Sequence, residues 1–259
     1  MLEDLYAGAL ADAADRAVLK PLRQLEAEAA AAKPALPTLQ LLSGGQTVKV
    51  LAEIKRASPS RGDLNQIEDP VALALSYEAA GASAISVLTE ERRFKGSLAD
   101  LKAVRANVSV PVLRKDFIAN EQQILEARAA GADIVLLIVA GLDQGTLQRL
   151  KTFTESLGMT AFVETHSLDE IHRALDVDTK LLGVNARDLS TFETDRELFG
   201  RVAEHIPAGV VKVAESAVRS VEDVVRYAEA GADVVLVGEA LVTGNPTSLL
   251  REFVAVPKA

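Results

Sequence analysis

The sequence of 259 residues contains no cysteine and no tryptophan, and only three histidines and two methionines. The absence of cysteine excludes a disulfide framework and any metal site built from thiolates. No apolar run approaches the roughly 20 residues that a helix needs to cross a bilayer. Residues 1–6 lack the basic and apolar regions of a signal peptide. We therefore expect a soluble, cytoplasmic protein with no membrane partner.

The chain also lacks an excess of positive charge, because its formal net charge is −9. Without a basic stripe to neutralise a phosphate backbone, we expect no nucleic-acid partner. A small anionic substrate remains compatible with this charge. A few lysines and helix N-termini in one cleft can create a positive potential inside an acidic protein.

From about residue 48, short apolar runs rich in β-branched residues alternate with longer stretches of helical spacing. The strand-type runs cover residues 48–55, 84–89, 110–115, 134–139, 160–165, 181–185, 210–215 and 234–238. The helix-type segments lie near residues 69–80, 97–107, 120–130, 143–157, 167–176, 194–205, 220–230 and 245–254. Eight such units predict an α/β fold of the (β/α)8 TIM-barrel class. An open doubly wound sheet is the competitor, but no G-x-G-x-x-G follows the first run.

Residues 1–47 are predicted to form a helical extension before a barrel of residues 48–259, with one domain overall. Residues 19–32 are rich in strong helix formers, and a proline-containing stretch at 33–37 breaks the pattern. We expect one or two extra helices that lie across one end of the barrel. Both a solubilising role and a role in covering the site stay open for this extension.

Charged residues stand at the ends of several predicted strands, where the mouth of a barrel collects its functional groups. Glu53 and Lys55 are two residues apart and therefore face the same side, whereas Arg114 and Asp116 face away from Lys115. The other strand-end candidates are Glu164, His166, Asn185, Arg187 and Glu215. Any one of them could simply close the rim through a salt bridge. Together they exceed what rim closure needs, and we expect them to shift one another's pKa values.

The loops after the seventh and eighth runs are candidates for a phosphate site, because barrels commonly bind phosphate there. They contain Ser216-Ala217 and Gly238-Glu239-Ala240, and residues 58–62 after the first run add hydroxyl groups. A plain turn is the alternative for residues 58–60. The histidines form no metal-binding pattern and Ser216 lies in no G-x-S-x-G elbow. We therefore predict neither a metal site nor a serine hydrolase.

These motifs resemble the indole-3-glycerol-phosphate synthase family, and the resemblance runs in order from about residue 50 to the end. Two of them together are highly specific: Glu-Ile-Lys-Arg-Ala-Ser-Pro-Ser at 53–60 and Pro-Val-Leu-Arg-Lys-Asp-Phe at 111–117. Shorter matches lie at residues 86–90, 94–97, 163–164, 185–189, 215–216 and 236–239.

The resemblance implies an enzyme of tryptophan biosynthesis that needs no cofactor and no metal. Members convert 1-(2-carboxyphenylamino)-1-deoxyribulose 5-phosphate into indole-3-glycerol phosphate, carbon dioxide and water. The partner is then a small phosphorylated substrate, and we expect a monomer or weak oligomer.

The resemblance also assigns roles to individual residues. Lys115 matches the acid for ring closure, and Glu164 and Lys55 match the pair implicated in dehydration, with the identity of the donor left open. Glu53 would orient the lysines and Asn185 would hydrogen-bond the substrate. We expect burial and a neighbouring lysine to lower the pKa of the acidic ammonium. The implied substrate-binding residues are Ser58, Phe94, Phe117, Arg187, Glu215, Ser216, Ala217, Gly238 and Glu239.

The chain departs from the family pattern at Ala217, where glycine is usual, and at Thr165 and Ala186. If residue 217 has a positive φ, its alanine is strained and the phosphate site is weakened. Two alternatives remain from sequence. A phosphoribosylanthranilate-type isomerase would need a cysteine or a comparable base, and this chain has no cysteine. An inactive barrel scaffold would have no use for so many charges at its mouth.

Overall fold

The protein is described by a computed structural model that covers residues 2–188, 191 and 193–259. Its centre is a closed barrel of parallel strands in which each strand pairs with its neighbours in chain order and the last pairs with the first. The strands are β1 Lys49–Ile54, β2 Ala84–Leu88, β3 Val112–Lys115, β4 Ile134–Ile138, β5 Thr160–Thr165, β6 Leu181–Asn185, β7 Val211–Glu215 and β8 Val234–Val237. The predicted TIM-barrel class is confirmed.

Helices surround the barrel and connect its strands. They are α1 Leu2–Leu19, α2 Leu22–Ala31, α3 Thr38–Ser43, α4 Pro70–Ala79, α5 Leu98–Asn107, α6 Glu121–Ala129, α7 Gln144–Ser156, α8 Leu168–Asp176, α9 Leu198–Val202, α10 Val221–Glu229, α11 Glu239–Thr243 and α12 Pro246–Phe253. No helix in the described ranges is both long and apolar enough to span a membrane.

The junctions between helices and strands follow the pattern of glycines in the sequence. The glycines of the three Ala-Gly-Ala motifs, Gly81, Gly131 and Gly231, all have positive φ and follow helices just before strands. This is the left-handed cap geometry that glycine adopts without a steric penalty. The helix predicted over 194–205 is shorter than expected, because α9 covers five residues and a 3₁₀ turn, Ala203–His205, follows it.

The strand register determines which side chains enter the barrel. Asn185 pairs with Glu215, and Glu53 pairs with Ser86, so each pair shares a face. Alternation along each strand then places Glu53 inside with Lys55, and Lys115 inside with Leu113. Glu53, Glu164 and Glu215 enter near the C-terminal ends of their strands, and the inward residues two positions earlier are the buried apolar Leu51, Phe162 and Val213. The mouth of the barrel is therefore the polar end.

Three helices precede β1, so the expectation of one or two is wrong. In α1, the Tyr6 hydroxyl donates to the carbonyl oxygen of Ile138 at 3.4 Å, which places this helix at the mouth. The next helix, α2, packs Leu25 against Leu125 on the side of the barrel. At the opposite end, the Leu36 N–H donates to Asp133, just before β4. The segment thus passes from the mouth to the base.

Two short elements near the mouth were not predicted. Residues Ala57–Ser58 and Gly62–Asp63 form a small antiparallel hairpin, and residues 59–61 form the turn that joins its two strands. The short helix α11 begins directly after β8 and its first residue is Glu239. Both elements are too short to give a periodic signal in the sequence.

Candidate active site

A cleft of about 1210 Å³, open to solvent, lies at the mouth of the barrel. Every residue to which the family resemblance assigns a role lines it, whereas His166 and Ala240 do not. The predicted residues that line the cleft are Glu53, Lys55, Ser58, Phe94, Lys115, Phe117, Glu164, Asn185, Arg187, Glu215, Ser216, Ala217, Gly238 and Glu239. Leu189, the last residue of one of the family-like motifs, lies outside the described residues.

Lys115 occupies the centre of the charged groups in this cleft. Its Nζ lies 2.7 Å from Glu164 Oε2 and 2.8 Å from Glu215 Oε2. Both glutamates are almost fully buried, on β5 and β7. One ammonium group is therefore shared by two carboxylates that approach it from different strands.

The expectation that Lys115 has a lowered pKa is wrong. Burial alone would lower the pKa of Lys115, but the carboxylates of Glu164, Glu215 and Glu53 outweigh it and raise that pKa. Burial opposes the ionisation of Glu164, yet Lys115 and His166 hold its pKa well below the usual range. Burial and the charge of Glu164 raise the pKa of Glu215 to about 8. The site thus holds a protonated lysine beside one ionised and one nearly neutral glutamate.

Glu53 and Lys55 form a second ion pair in the cleft, with Glu53 Oε1 2.7 Å from Lys55 Nζ. Ser86 Oγ lies 3.5 Å from the other oxygen of Glu53. The carboxylate of Glu53 lies directly against Gly238, where an added Cβ would come within 2.5 Å of Oε1. Glycine at 238 therefore leaves the space that Glu53 occupies.

Asn185 connects the charged centre to the outer loops. Its Nδ2 donates to Glu164 Oε1 at 3.2 Å, while its Oδ1 accepts from Ser216 Oγ at 2.8 Å and from the Arg187 N–H at 3.0 Å. The Arg187 guanidinium donates to Ser60 Oγ at 3.0 Å. One amide thus fixes the side chains of Glu164 and Ser216 and the backbone of Arg187, whose guanidinium reaches the hairpin after β1.

The loop after β7 carries two consecutive residues in the left-handed region, Ser216 with φ +67° and Ala217 with φ +60°. Ala217 therefore meets the condition under which the departure from glycine is strained, at a cost of about 1–2 kcal/mol. Across the cleft entrance, Glu239 pairs with Arg61 and lies 3.9 Å from Arg187. The Arg61 guanidinium lowers the pKa of Glu239.

An aromatic wall forms the side of the cleft next to β2 and β3. The rings of Phe94 and Phe117 lie 6.1 Å apart, and Tyr6 packs edge-on against Phe117 at 5.6 Å. Glu90 accepts hydrogen bonds from the backbone N–H groups of 92–94 and so fixes the loop that carries Phe94. Sequence reasoning missed Tyr6, because its partner is more than 100 residues away.

Several further lining residues carried no family-like motif or strand-end charge, namely Leu136, Ile138, Thr194, Arg196, Val218 and Arg219. The alternation of inward positions could have found Leu136 and Ile138, and proximity to Ser216 could have found Arg219. Arg114, in contrast, faces away from the mouth and is fully buried. Within residues 2–188, 191 and 193–259, no three His, Asp or Glu side chains are arranged to hold a metal ion.

Comparisons with known proteins point to one family. The family model for indole-3-glycerol phosphate synthase matches residues 2–253. An indole-3-glycerol phosphate synthase of Leifsonia xyli subsp. xyli is 63% identical over 253 residues, with 98% of this chain and 97% of the relative covered. One from Beutenbergia cavernae is 54% identical over 256 residues, covering 98% and 95%.

The chain belongs to the indole-3-glycerol phosphate synthase family. That family is one of decarboxylating lyases in tryptophan biosynthesis that act on a small phosphorylated substrate. The matches do not favour the isomerase or the inactive scaffold.

Solved structures with low sequence identity share the family's fold. An N-acetylmannosamine-6-phosphate 2-epimerase from Clostridium perfringens superposes with a TM-score of 0.63 at 13% identity, covering 84% of this chain and 95% of that one. A thiamine phosphate pyrophosphorylase from Pyrococcus furiosus gives 0.60 at 14% identity, covering 80% and 93%. At such identities the likeness concerns the barrel alone.

Proposed function

We propose that the protein converts 1-(2-carboxyphenylamino)-1-deoxyribulose 5-phosphate into indole-3-glycerol phosphate, carbon dioxide and water. The observation that carries this proposal is the position of Lys115, whose Nζ lies between Glu164 and Glu215 at the floor of the cleft. Phe94 and Phe117 on one side suit the aromatic ring of the substrate. The loops after β7 and β8 suit its phosphate.

Ring closure is the step that needs Lys115. The aromatic carbon that bears the carboxylate attacks the ketone carbon, a C–C bond forms, and the Lys115 ammonium donates a proton to the ketone oxygen. The bond to the carboxylate then breaks, carbon dioxide leaves, and the electron pair restores the aromatic ring. Because the developing alkoxide is far more basic than an amine, a lysine with a raised pKa can still donate to it.

Dehydration follows and needs both an acid and a base. The new hydroxyl group leaves as water with a donated proton, and the carbon next to the nitrogen loses a proton to form the indole double bond. We assign this step to Glu164 and Lys55, which lie on β5 and directly after β1 and line the cleft. Glu53 positions Lys55 through their ion pair, and Asn185 hydrogen-bonds the substrate.

The remaining contacts hold the substrate in place. Arg187 is proposed to meet the carboxylate, because its guanidinium lies over the cleft and is fixed by Ser60. The phosphate is proposed to bind Ser58, Ser216 and the backbone near Ala217, Gly238 and Glu239, which line one end of the cleft. Arg61 balances the charge of Glu239 near that end.

The decisive experiment mixes the protein with this substrate and follows indole fluorescence. The chain contains no tryptophan, so its own emission does not hide the product. We expect a rise proportional to enzyme concentration that falls by a factor on the order of 10² or more in Lys115→Ala. Glu164→Gln should bind the substrate but turn it over slowly.

Lys212→Ala is the matched control for the loss of a strand lysine. Lys212 lies on β7, but its Nζ donates to the carbonyl oxygen of Ala203, away from the cleft. This variant should keep full turnover. No indole from the wild-type protein would refute the proposed reaction, whereas normal turnover by Lys115→Ala would refute only the role of that residue.

The same proposal includes a cytoplasmic, monomeric or weakly oligomeric enzyme that does not bind nucleic acid, which the net charge of −9 supports. It also includes the division into a helical extension of residues 1–47 and a barrel of 48–259 within one domain. The start of β1 at Lys49 supports that boundary.

A further inference from the structure

His166 stands directly after β5, two residues beyond Glu164, and therefore shares the inward face of that residue. Its side chain is only 10% exposed. Nε2 lies 3.3 Å from Glu164 Oε1, and Nδ1 lies 3.2 Å from Glu170 Oε2. The imidazole ring thus lies between two carboxylates, one in the site and one outside it.

Glu170 is held in place by the start of α8 and not only by the ring. Ser167 caps this helix and accepts the N–H of Glu170 through its side chain at 3.2 Å. In return, Glu170 Oε2 accepts the backbone N–H of His166 at 2.8 Å. The acceptor that faces Nδ1 is therefore fixed by helix capping.

The two carboxylates determine the protonation of the ring. An ionised carboxylate only accepts hydrogen bonds, so each ring nitrogen that faces one needs a hydrogen. A neutral imidazole would turn a lone pair toward either Glu164 or Glu170. Burial would lower the pKa of His166, but the two glutamates outweigh it and raise that pKa to about 10. Geometry and electrostatics both indicate an imidazolium.

The ring acts on Glu164 through its charge. Nε2 makes no hydrogen bond within the described part of the chain, although it lies close to Oε1, whereas Asn185 donates to that oxygen directly. Lys115 takes the other oxygen, Oε2. Glu164 is therefore surrounded by Lys115 from β3, Asn185 from β6 and His166, and its own charge helps to raise the pKa of Glu215 on β7.

We propose that His166 is a positioning residue that keeps Glu164 ionised and its Oε1 turned away from Lys115, so that the catalytic proton stays on Lys115. A buried lysine–glutamate pair can become neutral if the proton moves from nitrogen to oxygen. A fixed cation beside the carboxylate disfavours that transfer. The inference rests on the proposed function, because it concerns the proton that ring closure uses.

The kinetic test compares His166→Gln, Glu170→Gln and the control His205→Gln over a range of pH. His205 is 41% exposed and stacks against His172 outside the cleft. In His166→Gln we expect kcat to fall about 10-fold to 100-fold with KM changed by less than about threefold. The acid-side midpoint of the kcat profile should move up by about one pH unit, because Glu164 loses a cation.

The same midpoint should move less, and in the same direction, in Glu170→Gln, and should not move in His205→Gln. A packing defect would lower kcat equally at every pH and leave the midpoint in place. A uniform loss of that kind in His166→Gln would overturn the inference.

A second readout does not depend on turnover. The protein has only three histidines, so the ring signal that disappears from the nitrogen NMR spectrum of His166→Gln identifies His166. We expect that signal to be doubly protonated at pH 8, and a neutral tautomer there would overturn the inference even if the protein makes indole. A doubly protonated His166 in a protein that makes no indole would support the placement of its ring between Glu164 and Glu170. The same result would refute the proposed function.

Discussion

Consecutive residues of β3 belong to two buried charged clusters with opposite properties. The outer cluster, Arg114 with Thr89, Asp116 and Glu126, lies between barrel and helices. Arg114 is fully buried and donates to Thr89 at 3.1 Å, to Asp116 at 2.9 Å and to Glu126 at 3.3 Å. Arg16 of α1 closes it with two more hydrogen bonds to Glu126. Positive and negative groups are matched within this cluster.

The inner cluster, Lys115 with Glu53, Glu164 and Glu215, leaves one acceptor unsatisfied. Glu164 and Glu215 share the Lys115 ammonium, Glu53 pairs with Lys55, and Glu215 Oε1 has no hydrogen-bond partner among the described residues. The inner cluster also opens to the cleft, whereas Asp116 alone of the outer cluster lines it. A charged residue on a barrel strand therefore indicates function only when it faces the mouth and leaves something unsatisfied.

The largest difference in stability between the two clusters is expected when the central cation of each is removed. Arg114→Met should lower the free energy of unfolding by about 3–5 kcal/mol, because Asp116 is left buried without its cationic partner and Glu126 keeps only Arg16. Lys115→Met should cost much less, because Glu215 can stay protonated and the cleft admits water. Urea unfolding of both variants at neutral pH measures the difference. Equal losses would show that the two clusters hold the fold in the same way.

The outward and inward directions of Arg114 and Lys115 could be predicted from the sequence, because alternation along a strand is a local property. The signs of the pKa shifts could not. They depend on the distances from Lys115 to Glu164 and Glu215, which lie 49 and 100 residues further along the chain. The sequence predicted a lysine with a lowered pKa because it could not show how many carboxylates surround it.

In the fold, too, local features could be predicted from the sequence and features set by distant partners could not. Barrel strands and their helices were predictable within a few residues, since period and apolar runs define them. The path of residues 1–47 was not, because α1 is placed by distant partners such as Glu126 and Phe117. His166 shows a local signal that was only partly used. The spacing of two that joined Glu53 to Lys55 also joins Glu164 to His166, but His166 was named only among the strand-end candidates and given no role.

A pH-dependent effect is expected when Glu215→Gln removes the inner-cluster carboxyl group whose pKa is raised. Because the native pKa of Glu215 is raised to about 8, the folded protein keeps a proton that the unfolded chain releases near pH 4.5. Wild-type stability from this group therefore falls as pH rises from about 4.5 to about 8. The variant lacks this loss, so its advantage over wild type should grow across that interval by up to about 1.4 kcal/mol per pH unit.

Urea unfolding of wild type and Glu215→Gln at pH 5, 6.5 and 8 tests this pH dependence. Turnover should fall in the variant although stability rises, because the cleft loses a group that shares Lys115. Glu126→Gln is the matched change in the outer cluster and should lose stability instead. Parallel pH curves for wild type and Glu215→Gln would contradict the assignment of a raised pKa to Glu215.

The smallest effect concerns the backbone at the rim of the inner cluster. Ala217 has φ +60°, so Ala217→Gly should relieve left-handed strain of about 1–2 kcal/mol. The greater freedom of glycine in the unfolded chain offsets about 0.4–1 kcal/mol of that gain. We expect a net stabilisation of about 0.5–1 kcal/mol, seen as a rise in Tm, together with tighter binding of inorganic phosphate.

The matched control is Ala103→Gly, in the middle of α5, where the backbone is helical. That change should lower stability by about 0.5–1 kcal/mol, because glycine gains nothing there and loses chain entropy on folding. Opposite signs for the same substitution would show that the rim of the cleft stores strain that the surrounding helices do not. If both variants lose stability equally, the left-handed turn at 216–217 contributes no strain, and Ala217 fits its loop as well as glycine would.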